Sequence, residues 1–456
     1  MYSIQFLNYS KFFRGEKMLN IGYAQEIITP PTGVGLAGYM NQRPNVGMYD
    51  DLYAKTVVFD NGKKMCGILV YDLIDVPQKL RIILEERITS KFGREFHDNL
   101  IICANHTHTG PEFRKKEMDE RTTYAFNQVI EATLRALERA VMNLQPGEIE
   151  YGCVYNNPYG FVRRYWMKNG TIVTNPGWCN PEIDKPESDF DRTIGIVRII
   201  QNGVTAALLC NIAQHGDTIG GSIVSADWYG RFAQEIQHTL KASMPVLVLD
   251  DASGDINHFD FSQKINQSSY KEAVRVGRGY AQIVLEALGN LQKLESDEIV
   301  VKNSTVTIPH RKLTPEEVAE AQHILDTVPD IPKEGDFESQ DLANKVPAAL
   351  RYFAKSALRC HAESSPSHDA RLTTLEFGKE LAFVSLPGEP FNGIAREIRE
   401  KSPFKNTFII SLAQTESDYV PLKECFARGG YEVQPGVDSL APEAAEEIVK
   451  AALKNL

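Results

Sequence analysis

The chain has 456 residues, with 49 Lys plus Arg against 60 Asp plus Glu, a formal net charge of −11. Such acidity excludes the clustered basic surface that nucleic acids need and argues against a polybasic membrane contact. Hydrophobic residues make up 43% of the chain, enough for a sizeable core, yet no apolar run is long enough to span a bilayer.

Residues 1–17 (MYSIQFLNYSKFFRGEK) are aromatic and basic, without a continuous apolar stretch or a small-residue cleavage site. They read as an N-terminal extension and not as a signal peptide, with the structured chain starting near Met18. Residues 65–76 form a buried strand and 77–92 a helix; 99–104 is a strand and 120–143 a long amphipathic helix. Strands at 193–200 and 204–213 flank an Asn202-Gly203 turn. A helix at 228–243, a short apolar strand at 245–250 and a helix at 266–290 follow. Strands are expected near 298–308, 371–378, 381–386 and in TFIISLA, with helices near 314–328, 390–400 and 441–455. Thr314 is placed to cap its helix, with Pro315 in the first helical position. The stretch 310–370, with a second helix near 338–356, reads as a helical excursion from the core. Together these elements predict an α/β or mixed α+β protein: a single large layered domain over 18–456, with mixed β-sheets flanked by helices. The seven cysteines are odd in number, scattered and without C-x-x-C. They read as small buried hydrophobes in a reducing, cytoplasmic setting.

Chemistry gathers where apolar strands end. Asn105-His106-Thr107-His108-Thr109-Gly110-Pro111 follows IICA, and two histidines two apart on an extended segment point the same way. His215 follows AALLCNIA in Gln214-His215-Gly216-Asp217, either as a turn histidine or in a loop shaped around a ligand. Asp250 to His258 follows PVLVL; Ser253 is a conceivable nucleophile there, but the segment is not G-x-S-x-G and could simply be a turn. Glu389 follows LAFVS near a helix start, where a carboxylate could also serve only the helix dipole. Tyr419 follows TFIISLA. His97, His238, His310, His323, His361 and His368 read as exposed or internally satisfied side chains. Polar groups thus follow apolar strands at five places, and a layered fold could bring them to one mouth.

IGYAQEIITPPTGVGLAGY, DDLYAKTVVFDNG, NHTHTGP, QHGDT with VSAD, ASGDIN, LPGEPF and GGYE occur in the order found in neutral/alkaline non-lysosomal ceramidases. The chain resembles the catalytic domain of that family over about Ile21 to Val433, more closely the shorter bacterial proteins lacking the immunoglobulin-like domain. The resemblance implies a zinc-dependent hydrolase of carbon–nitrogen bonds with one Zn²⁺ per chain, whose activated hydroxide attacks an amide carbonyl. It implies His106, His215, Glu389 and Tyr419 as metal ligands, and His108, Arg164 and Tyr431 as catalytic residues. Arg163, adjacent to Arg164, is the alternative arginine, and Arg163, Asp255 and Asn257 are expected to face substrate. Asn257 stands where the family has a serine; attack by an activated hydroxide requires no protein nucleophile, so that loss need not abolish hydrolysis. Two neutral imidazoles and a carboxylate leave zinc a net positive charge able to activate water. The expected partner is a small-molecule amide, soluble N-acyl or cyclic in preference to ceramide; the rivals are a non-catalytic ligand-binding homologue and a serine esterase using Ser253. A loop over 163–189, rich in Arg, Lys, Trp and acids, is expected to rim the entrance.

Overall fold

A computed structural model describes residues 19–39, 43–331, 333, 341, 345–363, 365–416 and 418–456. The N-terminal extension at 1–17 and the start at Met18 lie outside the described residues, as do parts of the helix expected near 338–356.

Eight strands line up in the larger sheet: β1 (Leu19–Ile27), β2 (Tyr53–Asp60), β3 (Met65–Tyr71), β4 (Leu100–Ala104), β5 (Gln145–Val154), β6 (Ile194–Gln201), β7 (Val204–Ile212) and β8 (Val246–Asp250). Their order is β8-β7-β6-β5-β1-β2-β3-β4. The outermost pairs, β7 with β8 and β3 with β4, run parallel, and the inner pairs are antiparallel. The second sheet has the order β9 (Ile299–Pro309), β10 (Ser367–Phe377), β11 (Leu381–Ser385), β12 (Asn406–Ile410).

Side chains alternate in the large sheet with the strand period of two. Ile194, Ile196, Leu208, Cys210, Val246 and Val248 face one way, against helices α3 (Asp227–Leu240) and α4 (Tyr270–Ala287). Leu69, Tyr71, Leu100 and Ile102 share that outer face under α1 (Gln78–Phe92) and α2 (Glu120–Met142). Val57, Ile68, Ile101, Val197, Leu209 and Leu249 point inward against Leu375, Phe383 and Phe408 of the second sheet. The far face of that sheet is covered by α7 (Asn392–Lys401) and α8 (Ala444–Asn455). Between β9 and β10 the chain makes α5 (Pro315–Thr327) and α6 (Pro347–Glu363), which pack on each other through Ala321, Ala354 and Ala357. The architecture is thus four layers, helices on two facing sheets on helices, with the helical excursion at its expected place.

The sheets are sewn together where the site lies. The segment after β12 reaches into the large sheet: Ser411 N donates to Asp250 O, Ala104 N to Leu412 O and Gln414 N to Ile102 O. Edge strands β4 and β8 are thereby brought into contact. The ends of β4, β7, β8, β11 and β12 converge.

The Asn202-Gly203 turn takes φ 51° and 76°, as a tight hairpin of this hand requires. Thr314 accepts from Glu317 N while Glu317 reaches back to Thr314 N, a capping box. The helix expected from 266 starts at Tyr270, because Ser269 caps it by accepting from Glu272 N. Seven cysteines are free; Cys66, Cys103, Cys210 and Cys425 are buried, but Cys179 is exposed and does not fit the buried-hydrophobe reading. No described helix is long and apolar enough to cross a membrane.

Candidate metal centre

His106 and His108 are set by a buried polar frame behind them. Asp72, at the end of β3, accepts from Lys55 Nζ (3.0 Å), Asn105 Nδ2 (2.6 Å) and Tyr53 N (2.8 Å). His106 N donates to Leu73 O, and its Nδ1 lies 2.7 Å from Ile74 O. A carbonyl only accepts, so Nδ1 carries the hydrogen and Nε2 is left as a lone pair facing outward. His106 has φ +74°, so the segment is kinked and not the extended run expected; the two rings still meet edge to face, 4.8 Å apart. The second loop is bolted to the first. His108 N donates to Gly216 O, and Trp228 Nε1 donates to His215 O (3.0 Å). A Cβ on Gly216 would sit 2.8 Å from His106 O, so only glycine permits this approach.

One ring nitrogen from each of His106, His108 and His215 lies within 4.8 Å of the other two. Glu389 Oε2 lies 3.4 Å from His106 Nε2 and 3.2 Å from His215 Nε2. Glu389–Pro390 pairs in parallel with Tyr419–Val420, Glu389 opposite Tyr419, which brings that phenol to the same wall. All five side chains line one cavity of about 830 Å³, with Arg163 and Tyr431. Among the described residues, His106 Nε2, both His108 ring nitrogens, His215 Nδ1 and Glu389 Oε2 are buried with no hydrogen-bond partner. Buried polar atoms are rarely orphaned, and here they belong to imidazoles and a carboxylate gathered at one point. The donor set suits a divalent cation of borderline softness, so the cluster could hold a metal ion.

The protonation pattern without a metal follows from the same contacts. Burial opposes charge on His106, but Glu389 overrides it and lifts the ring to about 9. Burial, opposed by the nearby Glu389 carboxylate and reinforced by repulsion from His106 and Arg163, drops His215 to about 4. His108 is pushed well below the usual imidazole range by burial and by the other two histidines. Glu389 is held well below the carboxylate range, since His106 outweighs its burial. A proton on His106 therefore occupies the place a cation would take, leaving His108 and His215 as neutral bases.

The two expected arginines face opposite ways. Arg163 lines the cavity: Nη1 is 3.2 Å from His215 Nε2, the guanidinium lies 5.0 Å from the Tyr419 ring centre, and buried Nη2 has no hydrogen-bond partner. Arg164 points into the protein, bonded to Glu187, Glu432 and Gly429 O, and does not reach the cavity. Of the two expected arginines the structure thus brings Arg163, and not Arg164, to the cavity, because adjacent residues of extended chain face opposite sides. Glu432 ties the two together, accepting from Arg163 Nε (2.7 Å) and Arg164 Nη1 (2.6 Å). Asp255 and Asn257 do not line the cavity either. Asp255 accepts from Asn392 N, and Asn257 donates to Asn175. Gly254 beside them lies against Glu389, where a Cβ would come 2.3 Å from its carbonyl oxygen. This strand end packs against Glu389 and lies off the cavity wall. Ser253 is buried, donates to Asp250 and is off the cavity wall, which leaves the serine-esterase reading without a nucleophile. Of the expected entrance loop, Arg163, Thr174 and Asn175 reach the cavity; Trp178 is exposed and Lys168 does not line it.

Sequence reasoning missed Asp217, 3.6 Å from His108 Nδ1 and bonded to Tyr39 (2.5 Å). It also missed His310 and His368, both on the cavity wall. Asp217 belonged to the QHGD segment, and its position two residues after His215 was the available signal.

Comparison with known proteins bears on the fold as a whole. No family model matches the chain. The neutral ceramidase of Pseudomonas aeruginosa is 24% identical over 288 residues, covering 57% of this chain and 41% of that protein. The chain is similar to neutral ceramidases. The crystal structure of the P. aeruginosa neutral ceramidase superposes with a TM-score of 0.71 at 16% identity, covering 97% of this ceramidase-like chain and 74% of that one. A ceramidase complexed with C2 gives 0.69 at 16% identity, covering 96% and 75%. The layered α/β fold is shared along nearly the whole chain, while the matched sequence spans less than half of the curated relative.

Proposed function

We propose that this chain is a zinc-dependent amide hydrolase acting on N-acyl compounds. The observation that carries the reading is the convergence of ring nitrogens of His106, His108 and His215 with Glu389 Oε2 on one cavity wall, where His106 Nε2, both His108 ring nitrogens, Glu389 Oε2 and the Arg163 Nη2 donor have no hydrogen-bond partner. His106, His215 and Glu389 would hold the metal, with Tyr419 completing the set. Zinc bound there would supply a Lewis acid that activates water and polarises the amide carbonyl. The chain's own groups do the rest. His108, held neutral at pH 7, accepts a proton and returns it to the departing amine. Arg163 Nη2 and the Tyr431 hydroxyl, kept protonated by burial, donate to the oxygen on which charge develops. Asp217 steers the His108 ring, and Glu432 fixes the Arg163 fork.

The cavity walls favour a polar substrate. Asp75, Arg81, Arg114, Glu416, Asp369 and Asp418 all line it, which suits a small soluble amide better than two lipid chains. A smaller apolar cleft of about 650 Å³, under Ile172, Ala321, Ile324, Leu350 and Ala354, shares Thr174, Phe353 and Tyr431 with the main cavity. It offers room for one apolar arm beside the scissile bond. The test measures metal content of protein purified without added metal, then turnover of short-acyl amides and of long-chain ceramide in detergent, with and without chelator. Metal-dependent hydrolysis of the soluble amides is expected. Faster turnover of the long-chain lipid would overturn the substrate reading, and chelator-insensitive turnover the metal.

A further inference from the structure

A second pair of histidines lines the same cavity on the wall built by the outer hairpin of the second sheet. His310 follows β9, and His368 lies near the start of β10. Their rings are 4.9 Å apart between centres, with His310 Nε2 2.6 Å from His368 Nδ1. His310 Nδ1 is 3.1 Å from Ser365 O.

These contacts fix where the hydrogens sit when both rings are neutral. The Ser365 carbonyl can only accept, so His310 Nδ1 carries hydrogen and its Nε2 is a lone pair. His368 Nδ1 must then donate to that lone pair, which leaves His368 Nε2 as an acceptor. That atom is buried, and no described residue bonds to it. Nearby groups oppose an anion there. Asp369, which accepts from Thr307 Oγ1 (2.6 Å), and Asp418, which accepts from Ser439 N and Oγ, line the same wall. The groups beside His368 Nε2 therefore present acceptors and negative charge, and no described donor meets that atom. A site built to receive a hydrogen bond discriminates strongly against a ligand that cannot give one, because its own buried atom is then left unpaired.

We propose that His368 is a specificity-determining residue, whose Nε2 accepts a hydrogen bond from a hydroxyl or amine that the substrate carries away from its scissile amide. His310 is its positioning residue, acting through the tautomer it imposes. The inference rests on the amide-hydrolase reading of the cavity and names the substrate class within it: N-acyl compounds with a second, hydrogen-bond-donating polar group.

The test uses the full chain, zinc-loaded and labelled with ¹⁵N-histidine, at a pH of about 8, above the ordinary imidazole range. Long-range proton–nitrogen correlation should find His368 protonated on Nδ1 and bare on Nε2. The probes are N-acetyl amino alcohols and N-acetyl diamines of graded chain length, each against its methyl-capped counterpart. At least one donor-bearing member should bind about tenfold tighter than its capped partner and shift the His368 Nε2 signal. His368→Phe should bring that ratio close to one. His368→Gln, which keeps an acceptor, should restore part of it, and His310→Phe should reduce it by freeing the tautomer. A protonated Nε2 in the wild-type protein, or a preference that survives His368→Phe, overturns the proposal. Failure of the amide-hydrolase reading shows separately, as a binding preference with no member of the series turned over.

Discussion

Two strand ends of the large sheet make an instructive contrast. After β4 the chain runs Asn105-His106-Thr107-His108, and after β8 it runs Asp251-Ala252-Ser253-Gly254-Asp255. Both follow fully buried apolar strands, both are polar, and both sit at the junction of the two sheets. They differ in where their polar atoms are spent. At the first end, the backbone is held by other loops while the ring nitrogens facing the cavity have no protein partner. At the second, Ser253 bonds to Asp250, Asp251 pairs with Arg399, and Asp255 accepts from Asn392 N. A polar strand end marks the neighbourhood of a site, but unspent bonding capacity separates the residues that meet a ligand from those that hold them in place.

The contrast can be broken most sharply at His106. His106→Ala deletes one member of the unpartnered set, and both metal content and amide turnover should be lost together; metal analysis alongside initial rates checks this. Arg163→Met should retain the metal but lower kcat by about 10²–10³, the usual cost of one oxyanion donor, whereas Arg164→Met should act mainly on thermal stability. Retained activity in Arg163→Met would return the role to Arg164. Gly254→Ala tests whether the second end serves the first. Its new Cβ meets the Glu389 carbonyl, so metal affinity should fall by about 10–100-fold with the cavity side chains unchanged, measured by chelator competition. Ser253→Ala should cost about 1 kcal/mol of stability for one lost buried hydrogen bond and leave turnover within about twofold, by denaturant melts and rates.

The smallest effect is a pH dependence. His106 is raised from about 6.5 to about 9 in the metal-free fold by Glu389 against its own burial. Its contribution to stability is therefore complete below about 6.5 and disappears as pH rises through about 9. The stability gap between metal-free wild type and His106→Gln should narrow across that window in parallel denaturant titrations. A gap independent of pH would mean that His106 and Glu389 do not share a proton.

Much of this was legible in the sequence because strand burial leaves a period-of-two pattern and turn chemistry leaves named residues. The Asn202-Gly203 hairpin, the Thr314 cap and the strand-end histidines are local signals of that kind. Strands β1, β2 and β5 went unread, since Gly22, Lys55 and Gly147 interrupt their apolar patterns for reasons visible only in packing: Gly22 lies under Ala140 O and Lys55 pairs with buried Asp72. The choice between Arg163 and Arg164 was also beyond the sequence. It depends on which side of the short strand Arg164–Met167 turns to the cavity, with both guanidiniums tied to Glu432, a residue far along the chain. His310 and His368 carry no local signal at all, because their pairing is made by the β9–β10 register, in which Ile308 lies opposite His368.

The candidate centre draws on four stretches of chain: 106–108, 215, 389 and 419. None of them can assemble it alone, and the last, on the strand Tyr419–Val420, is made long after the first. A growing chain therefore has no chance to capture whichever divalent ion is most abundant or most avid. Were a metal bound, its selection would wait for the assembled sandwich, where spacing and rigidity would weigh against the Irving–Williams order. An ion held there would also act as a late clasp between the two sheets, joining β4 and β7 to the far end of the chain.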